Sequence, residues 1–347
     1  MVKKKSIVFV INPISGTKNK KSIVRHIEEG IDKQKYNTII RHTEYAGHAV
    51  KIAAECVSKG IEIVVAIGGD GTVNEVARSL VHTQTALGII PCGSGNGLAR
   101  HLQIPMDVKG AVDVINKGVT ECVDFGKINN IPFFCTCGVG FDAFVSLKFA
   151  SSRKRGLLTY LENTLRESLK YKPDTYEIED ENGTFKYKAF LIACANASQY
   201  GNNVYIAPQA SMCDGLMDVI ILQPFTVLDV PTLALQLFTK NLDKSNLIKT
   251  IRCKKIHIHR EHEGVIHFDG DPIMTGENID VELFSKGLNI VVNNTAEGHE
   301  TNFLQIFADY FNELNSIPGK MSISNLSMSN KRISVLNREL LRKLTKK

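Results

Sequence analysis

The 347-residue chain is 43% apolar and 22% charged, the profile of a globular protein with a sizeable core and not of a disordered or fibrous one. Its net charge of +6 is confined to a tail in which Lys331, Arg332, Arg338, Arg342, Lys343, Lys346 and Lys347 face Glu339 alone, so the body is neutral and offers no basic track for nucleic acid. No run of 18 apolar residues occurs, which leaves only peripheral membrane contact.

Eight cysteines (Cys56, Cys92, Cys122, Cys135, Cys137, Cys194, Cys213 and Cys253) are scattered, mostly within apolar runs, and form no Cys-x-x-Cys pair. They read as reduced core residues of a cytoplasmic protein. Lys3-Lys4-Lys5 ahead of the apolar run at 7–11 mimics a signal peptide, but Asn12-Pro13 cuts the run short, and a first β-strand is expected.

Up to about residue 124, strand-like runs alternate with helical patterns: 7–11 then 20–31, 37–41 then 48–59, 63–67 then 74–80, 86–90 then 96–102. The alternation predicts an α/β domain, a parallel sheet doubly wound with helices on both faces. Ligands of such sheets bind at the carboxyl ends of the strands. Four turns follow strands there and are expected to face one crevice: "NPISG" (12–16), "TEYAGH" (43–48), "GGDGT" (68–72) and "PCGSGN" (91–96).

The third turn aims unpaired N–H groups at one spot, an anion site helped by the positive end of the helix dipole. The P-loop spacing and the Gly-x-Gly-x-x-Gly fingerprint are both absent, and no lysine follows. Asp70 would repel a bare phosphate. The turn therefore suits a ligand with a metal ion or hydroxyls between carboxylate and phosphate. Taken alone, it also reads as a plain strand-to-helix turn.

Beyond residue 124 short β-rich runs at 133–137, 175–180, 185–195, 217–222, 254–260, 265–269 and 288–292, with helical patterns at 155–169 and 227–239, predict a mainly antiparallel second domain, sandwich or barrel. His257 and His259 alternate onto one strand face near His262 and His267; a solvated edge strand explains them more simply than zinc. From 295 the chain turns polar, with an amphipathic piece at 303–314. In the basic tail, Ile333, Leu336, Leu340 and Leu344 recur at helical spacing, which suits a helix lying on an anionic membrane surface, a solvated tail, or a helix docked on a second copy in a homodimer.

"GGDGTVNEVA" followed by "PCGSGNGLAR" resembles the diacylglycerol kinase catalytic family, which includes bacterial lipid kinases, sphingosine kinases and ceramide kinases. The resemblance runs over about residues 5–292, through "NPISG", "GVGFDAFV", "IAPQASMCDGLMDV" and "FDGDP". It implies an ATP-binding α/β domain at 1–127, a β-rich lipid-kinase domain at 128–294 and an extension at 295–347, with the active site in the cleft between the first two. The implied reaction moves the γ-phosphate of ATP, carried with Mg²⁺, to the hydroxyl of a membrane-resident lipid alcohol.

Carried over by motif, the nucleotide contacts are Asn12, Pro13, Ser15, Gly16, Thr43, Gly69, Asp70, Gly71, Thr72, Asn74, Glu75 and Ser94, with Asp70 acting through the nucleotide's metal and hydroxyls. The family base follows an aspartate by two places in "DGE"; here the string is "DGD" and the base is Asp271, one methylene shorter. A structural Mg²⁺ is implied at Ser211, Asp214 and Leu216, with Asp124 as an acidic link toward the nucleotide. Diacylglycerol or a similar acylglycerol is the first acceptor, ahead of a sphingoid base or ceramide. An NAD kinase shares the "GGDG" device but carries its Asn-Glu pair well downstream, whereas Asn74-Glu75 follows at once here. A non-catalytic lipid or nucleotide sensor is the third class.

Overall fold

The computed structural model describes residues 4–16, 20–151, 171–226 and 228–294. Strands β1 (Lys5–Ile11), β2 (Tyr36–His42), β3 (Ile63–Gly68) and β4 (Ala86–Pro91) pair in parallel in the order β2-β1-β3-β4. β3 and β4 are buried along their whole length, which is why they read as unbroken apolar runs. Helices α1 (Lys20–Gly30), α2 (His48–Ser58) and α3 (Asp70–Leu80) follow the first three strands, and the short α4 (Gly97–His101) follows the fourth. Crossovers leave β1 and β3 in opposite directions along the sheet, the switch point at which such folds bind ligands.

A further helix, α5 (Val108–Lys117), packs against α1, while α2 packs against α3. The sequence reading missed α5, although its ends are marked. Asp107 Oδ1 accepts the Gly110 N–H at 2.8 Å, and Gly118 closes the helix at φ 68°.

The second half adds β5 (Thr120–Ile128), β6 (Ile131–Phe133), β7 (Thr136–Gly140), α6 (Phe141–Ser151), β8 (Asp174–Asp180), β9 (Gly183–Ala189), β10 (Leu191–Ala195) and β11 (Met217–Leu222). α7 (Val230–Phe238), β12 (Ile248–Cys253), β13 (Lys255–Arg260), β14 (Gly264–Phe268), β15 (Asp271–Thr275) and β16 (Asn278–Val291) complete it. One sheet continues from β4 through β16, β13, β8 and β9; the other runs β12-β11-β10-β7-β14-β15. Cys137, Val139, Ile192, Cys194, Val219 and Ile221 of the second sheet meet Ile178, Ile256, Ile258, Ile279, Val281 and Leu283 of the first, which makes the core of a sandwich. The alternate residues Leu191, Ala193, Ile220 and Leu222 join a separate core with Phe141 and Val145 of α6 and Leu233 of α7. With both faces covered, these strands too lack polar alternation.

The run expected as one strand at 185–195 is two strands in different sheets. They part at Phe190, whose N–H donates to Leu222 O at 2.7 Å and whose ring packs 4.5 Å from that of Phe141. β16 reaches well beyond the expected 288–292: it pairs with β13, with β5 and, through Ile290 and Leu87, with β4. The parallel and antiparallel halves thus share a sheet.

β13 is an interior strand, not an edge, and its histidines are explained by cross-strand partners. His257 Nδ1 lies 3.0 Å from Asp280 Oδ1, and His259 Nδ1 lies 2.9 Å from Asn278 Oδ1. His267 is buried elsewhere. Six of the eight free cysteines are buried as expected; Cys122 and Cys213 are exposed. Among the described residues no helix is long and apolar enough to cross a membrane. The helical patterns expected at 155–169, 303–314 and 331–347 lie outside the described residues.

Candidate active site

The turns after β1, β3 and β4 interlock. Asn12 donates its N–H to Ile67 O at 3.1 Å and its Nδ2 to Thr72 Oγ1 at 3.0 Å, while its Oδ1 accepts the Ile14 N–H at 3.1 Å. At Gly16, φ is 64° and a Cβ would lie 1.8 Å from Cys92 O, so only glycine fits. A Cβ on Gly93 would sit 2.6 Å from the Cα of Gly69. Thr43, from the turn after β2, is buried and donates its N–H to Ile11 O at 2.9 Å. Pro13, Gly71 and Ser94 are exposed, and a Cβ on Gly71 would meet nothing within 4 Å. The open side of Gly71 coincides with the first turn of α3, where N–H groups lack helical acceptors. Lys20 also bonds the Ser15 carbonyl through Nζ, a cation at this crevice that sequence reasoning overlooked.

Three expected nucleotide contacts are engaged elsewhere. The Asp70 carboxylate accepts Gly97 N–H at 2.7 Å and Asn96 N–H at 2.9 Å, so it braces the neighbouring loop. Desolvation pushes its pKa up, and these two bonds oppose the shift. Asn74 is buried and donates Nδ2 to Asp269 Oδ2 at 2.7 Å. Glu75 caps α2, accepting Gly47 N–H at 3.0 Å and Ala49 N–H at 3.3 Å. Such caps cross elements, so local spacing does not reveal them.

Asp269 and Gly270, at φ 48° and 87°, form the tight two-residue turn between β14 and β15. The Asp269 side chain turns inward. Besides Asn74 it accepts the N–H groups of Phe134 at 2.9 Å, Cys135 at 2.7 Å and Thr136 at 3.2 Å. Asp271 opens β15 and is exposed. Its pKa is raised by desolvation and by Asp269, Glu75 and Asp70, and held down by Arg78. Three of those four groups belong to α3, and the Asn74–Asp269 bond ties that helix to the hairpin that carries Asp271. Arg78 was not singled out from sequence; its guanidinium carbon lies 5.7 Å from the centre of the Phe268 ring.

The "GVGFDAFV" motif had no residue role assigned to it. In the structure Asp142 Oδ2 accepts the Tyr200 hydroxyl at 3.1 Å and lies 3.0 Å from Nε2 of the buried His267. The same Tyr200 segment supports the 91–96 turn: a Cβ on Gly97 would come within 3.1 Å of Tyr200 O, and Asn202 N–H donates to Gly95 O at 3.2 Å.

The side chains expected to hold a structural Mg²⁺ are engaged with protein partners. Asp214 Oδ1 accepts Leu216 N–H at 3.1 Å, and its Oδ2 is paired with Arg252. Ser211 Oγ accepts Cys213 N–H at 3.3 Å. Asp124 Oδ1 accepts the Lys286 N–H at 2.7 Å and its Oδ2 the Gly215 N–H at 2.8 Å, so it clamps this loop. Hard divalent cations need clustered oxygen acceptors.

Two family models match, the diacylglycerol kinase catalytic domain over residues 6–128 and the YegS C-terminal NAD kinase beta sandwich-like domain over 135–292. A diacylglycerol kinase of Bacillus subtilis is 27% identical over 271 residues, which is 76% of this chain and 88% of the relative. A protein of Chromohalobacter salexigens named "Probable lipid kinase YegS-like" is 30% identical over 245 residues, 68% of this chain and 78% of that one. A crystal structure of a diacylglycerol kinase from Bacillus anthracis superposes with a TM-score of 0.67 at 22% identity, over 85% of this chain and 98% of that chain, a likeness of fold. The chain belongs to the bacterial lipid-kinase family built on the diacylglycerol kinase catalytic domain.

Proposed function

We propose that the protein is an ATP-dependent lipid kinase whose acceptor is diacylglycerol or a similar acylglycerol, giving phosphatidic acid or its analogue. The observation that carries this reading is Asp271 at the start of β15, on the hairpin that the Asn74–Asp269 bond fastens to α3, the helix of the glycine turn. Phosphoryl transfer asks little covalent chemistry of a protein. It needs the phosphates positioned, their charge neutralised, and a hydroxyl aimed in line.

The first-turn N–H groups of α3 and the open side of Gly71 offer the phosphates a seat. Mg²⁺ enters as part of the substrate, MgATP. Asp271 orients the acceptor hydroxyl and takes its proton, and its raised pKa makes it a better base than an ordinary aspartate. Beside it on β15, Ile273 is 41% and Met274 57% exposed, and Leu147 on the adjoining α6 is 40% exposed. Apolar surface next to the base favours a lipid over a polar acceptor such as NAD. A sphingoid base or ceramide fits the same surface and is the second reading. The basic tail would bring the enzyme to anionic membrane from the cytoplasmic side.

The test is incubation of purified protein with labelled ATP and mixed micelles of diacylglycerol, sphingosine or ceramide, with NAD in parallel. Label in the diacylglycerol product supports the first reading, label in a sphingolipid the second. Label only in NADP overturns both.

A further inference from the structure

We propose that Arg252 is a built-in cation that holds the 211–216 loop in this chain, in the place where the resemblance puts a structural divalent ion. The inference does not depend on which lipid, or whether any lipid, is phosphorylated.

The antiparallel register of β11 and β12 sets Arg252 directly across from Asp218. Its Nε donates to Asp218 Oδ1 at 2.8 Å, and Nη2 donates to Asp214 Oδ2. One guanidinium thus bridges two carboxylates through two of its nitrogens, a use of its planar fork that a point charge does not match. The Asp218 side chain is only 4% exposed, so its charge is too far from water to stand unpaired. Asp124, the third carboxylate at the loop, is held by backbone N–H groups alone. A divalent ion at Asp214 would have to displace the guanidinium from Oδ2 and then sit beside its positive charge. Both steps oppose binding.

What Arg252 fixes reaches the active site. Asp214 closes the turn at Leu216, and Gly215 between them bonds Asp124. Asp124 donates its N–H to Met212 O at 2.7 Å, and its carbonyl accepts Asn196 Nδ2 at 2.9 Å. Asn196 Nδ2 also donates to Phe134 O at 2.9 Å, and Phe134 is the first of the three residues whose N–H groups hold Asp269. Arg252 is therefore a positioning residue, several bonds removed from Asp271.

The experiment is thermal unfolding of the nucleotide-free full chain in EDTA and in millimolar Mg²⁺ at matched ionic strength, for the wild type, Arg252→Gln and Asp214→Asn. The wild type should melt at the same temperature in both. Arg252→Gln should melt several degrees lower in EDTA and recover part of the loss in Mg²⁺, because Asp214 and Asp218 then face each other with no cation between them. Asp214→Asn should be destabilised and unresponsive. The proposal is overturned if the wild type loses stability in EDTA and Asp214→Asn abolishes that response, since an ion would then sit at Asp214 beside Arg252. An Arg252→Gln protein that is destabilised yet indifferent to Mg²⁺ overturns it as well, because the guanidinium would be a cross-strand brace and not an ion's substitute. Should that variant fail to fold, the wild-type response decides alone.

Discussion

The side-chain amide of Asn74 on α3 donates to Asp269 Oδ2 at 2.7 Å and so ties the helix of the glycine turn to the hairpin that carries Asp271. Donor and acceptor halves of the proposed reaction are registered through this one contact and the three backbone bonds to Asp269. Asn74→Ala should cost about 1.5–3 kcal/mol, the worth of a hydrogen bond to a charged group. It should also lower turnover more than ATP affinity. Urea unfolding together with calorimetric ATP titration checks both, and unchanged stability would mean the tie is not formed in solution.

Gly71 separates binding from folding. The added Cβ meets nothing within 4 Å, so Gly71→Ala should fold with unchanged or slightly higher stability. If phosphates lie on that side, ATP affinity should fall about tenfold, or 1.4 kcal/mol. A steric cause is the one to test at Gly69 too, because its φ of −91° removes any argument from a positive φ there. Wild-type ATP affinity in Gly71→Ala would make the turn structural only.

Arg78 holds the Asp271 pKa down against desolvation and its acidic neighbours. Arg78→Met should therefore raise that pKa, and the acid limb of the kcat/KM profile should move to higher pH by up to about one unit. An unmoved limb would separate Asp271 from the observed titration.

His101 supplies a pH test of the fold around the 91–96 turn. Its Nδ1 accepts the Ser198 N–H at 3.1 Å and lies 2.9 Å from Ser198 Oγ, and burial lowers its pKa from 6.5 to about 4. Above pH 6.5 the ring is neutral in both folded and unfolded chains. As pH falls from there toward about 4, the unfolded chain takes up a proton that the folded one refuses, so stability is lost with falling pH. His101→Asn keeps an acceptor without the titration, so its stability deficit should shrink between pH 7 and 5 in urea melts. A constant deficit would contradict the buried neutral ring.

The parallel domain was legible because its strands and helices alternate with clear periods and its turns carry glycine at each strand end. α5 was missed despite its caps, and β16 was seen only at its end because residues 278–287 mix charge with apolar alternation. At Phe190 the chain changes sheets where the mostly exposed β9, with Lys186 and Lys188, gives way to the fully buried apolar β10, a switch that an unbroken β-rich run hides. The site motifs were found, but the direction of their side chains was not. Asp70, Asn74 and Glu75 bond partners 26–27, 195 and 26–28 residues away, and Arg252 meets Asp214 over a separation of 38. Such pairings are set by tertiary packing, which spacing along the chain does not encode.

The most direct test of the account is Asp271→Asn, assayed for label transfer from ATP to the best lipid acceptor and, separately, for ATP binding by calorimetry. Asp271 is exposed at the start of β15 and makes no hydrogen bond among those that hold the hairpin to α3, so the variant should fold normally. Turnover should fall about 10²–10⁴-fold, the usual contribution of a general base, with ATP affinity unchanged. Near-wild-type turnover at unchanged ATP affinity would contradict the assignment of Asp271 as the base.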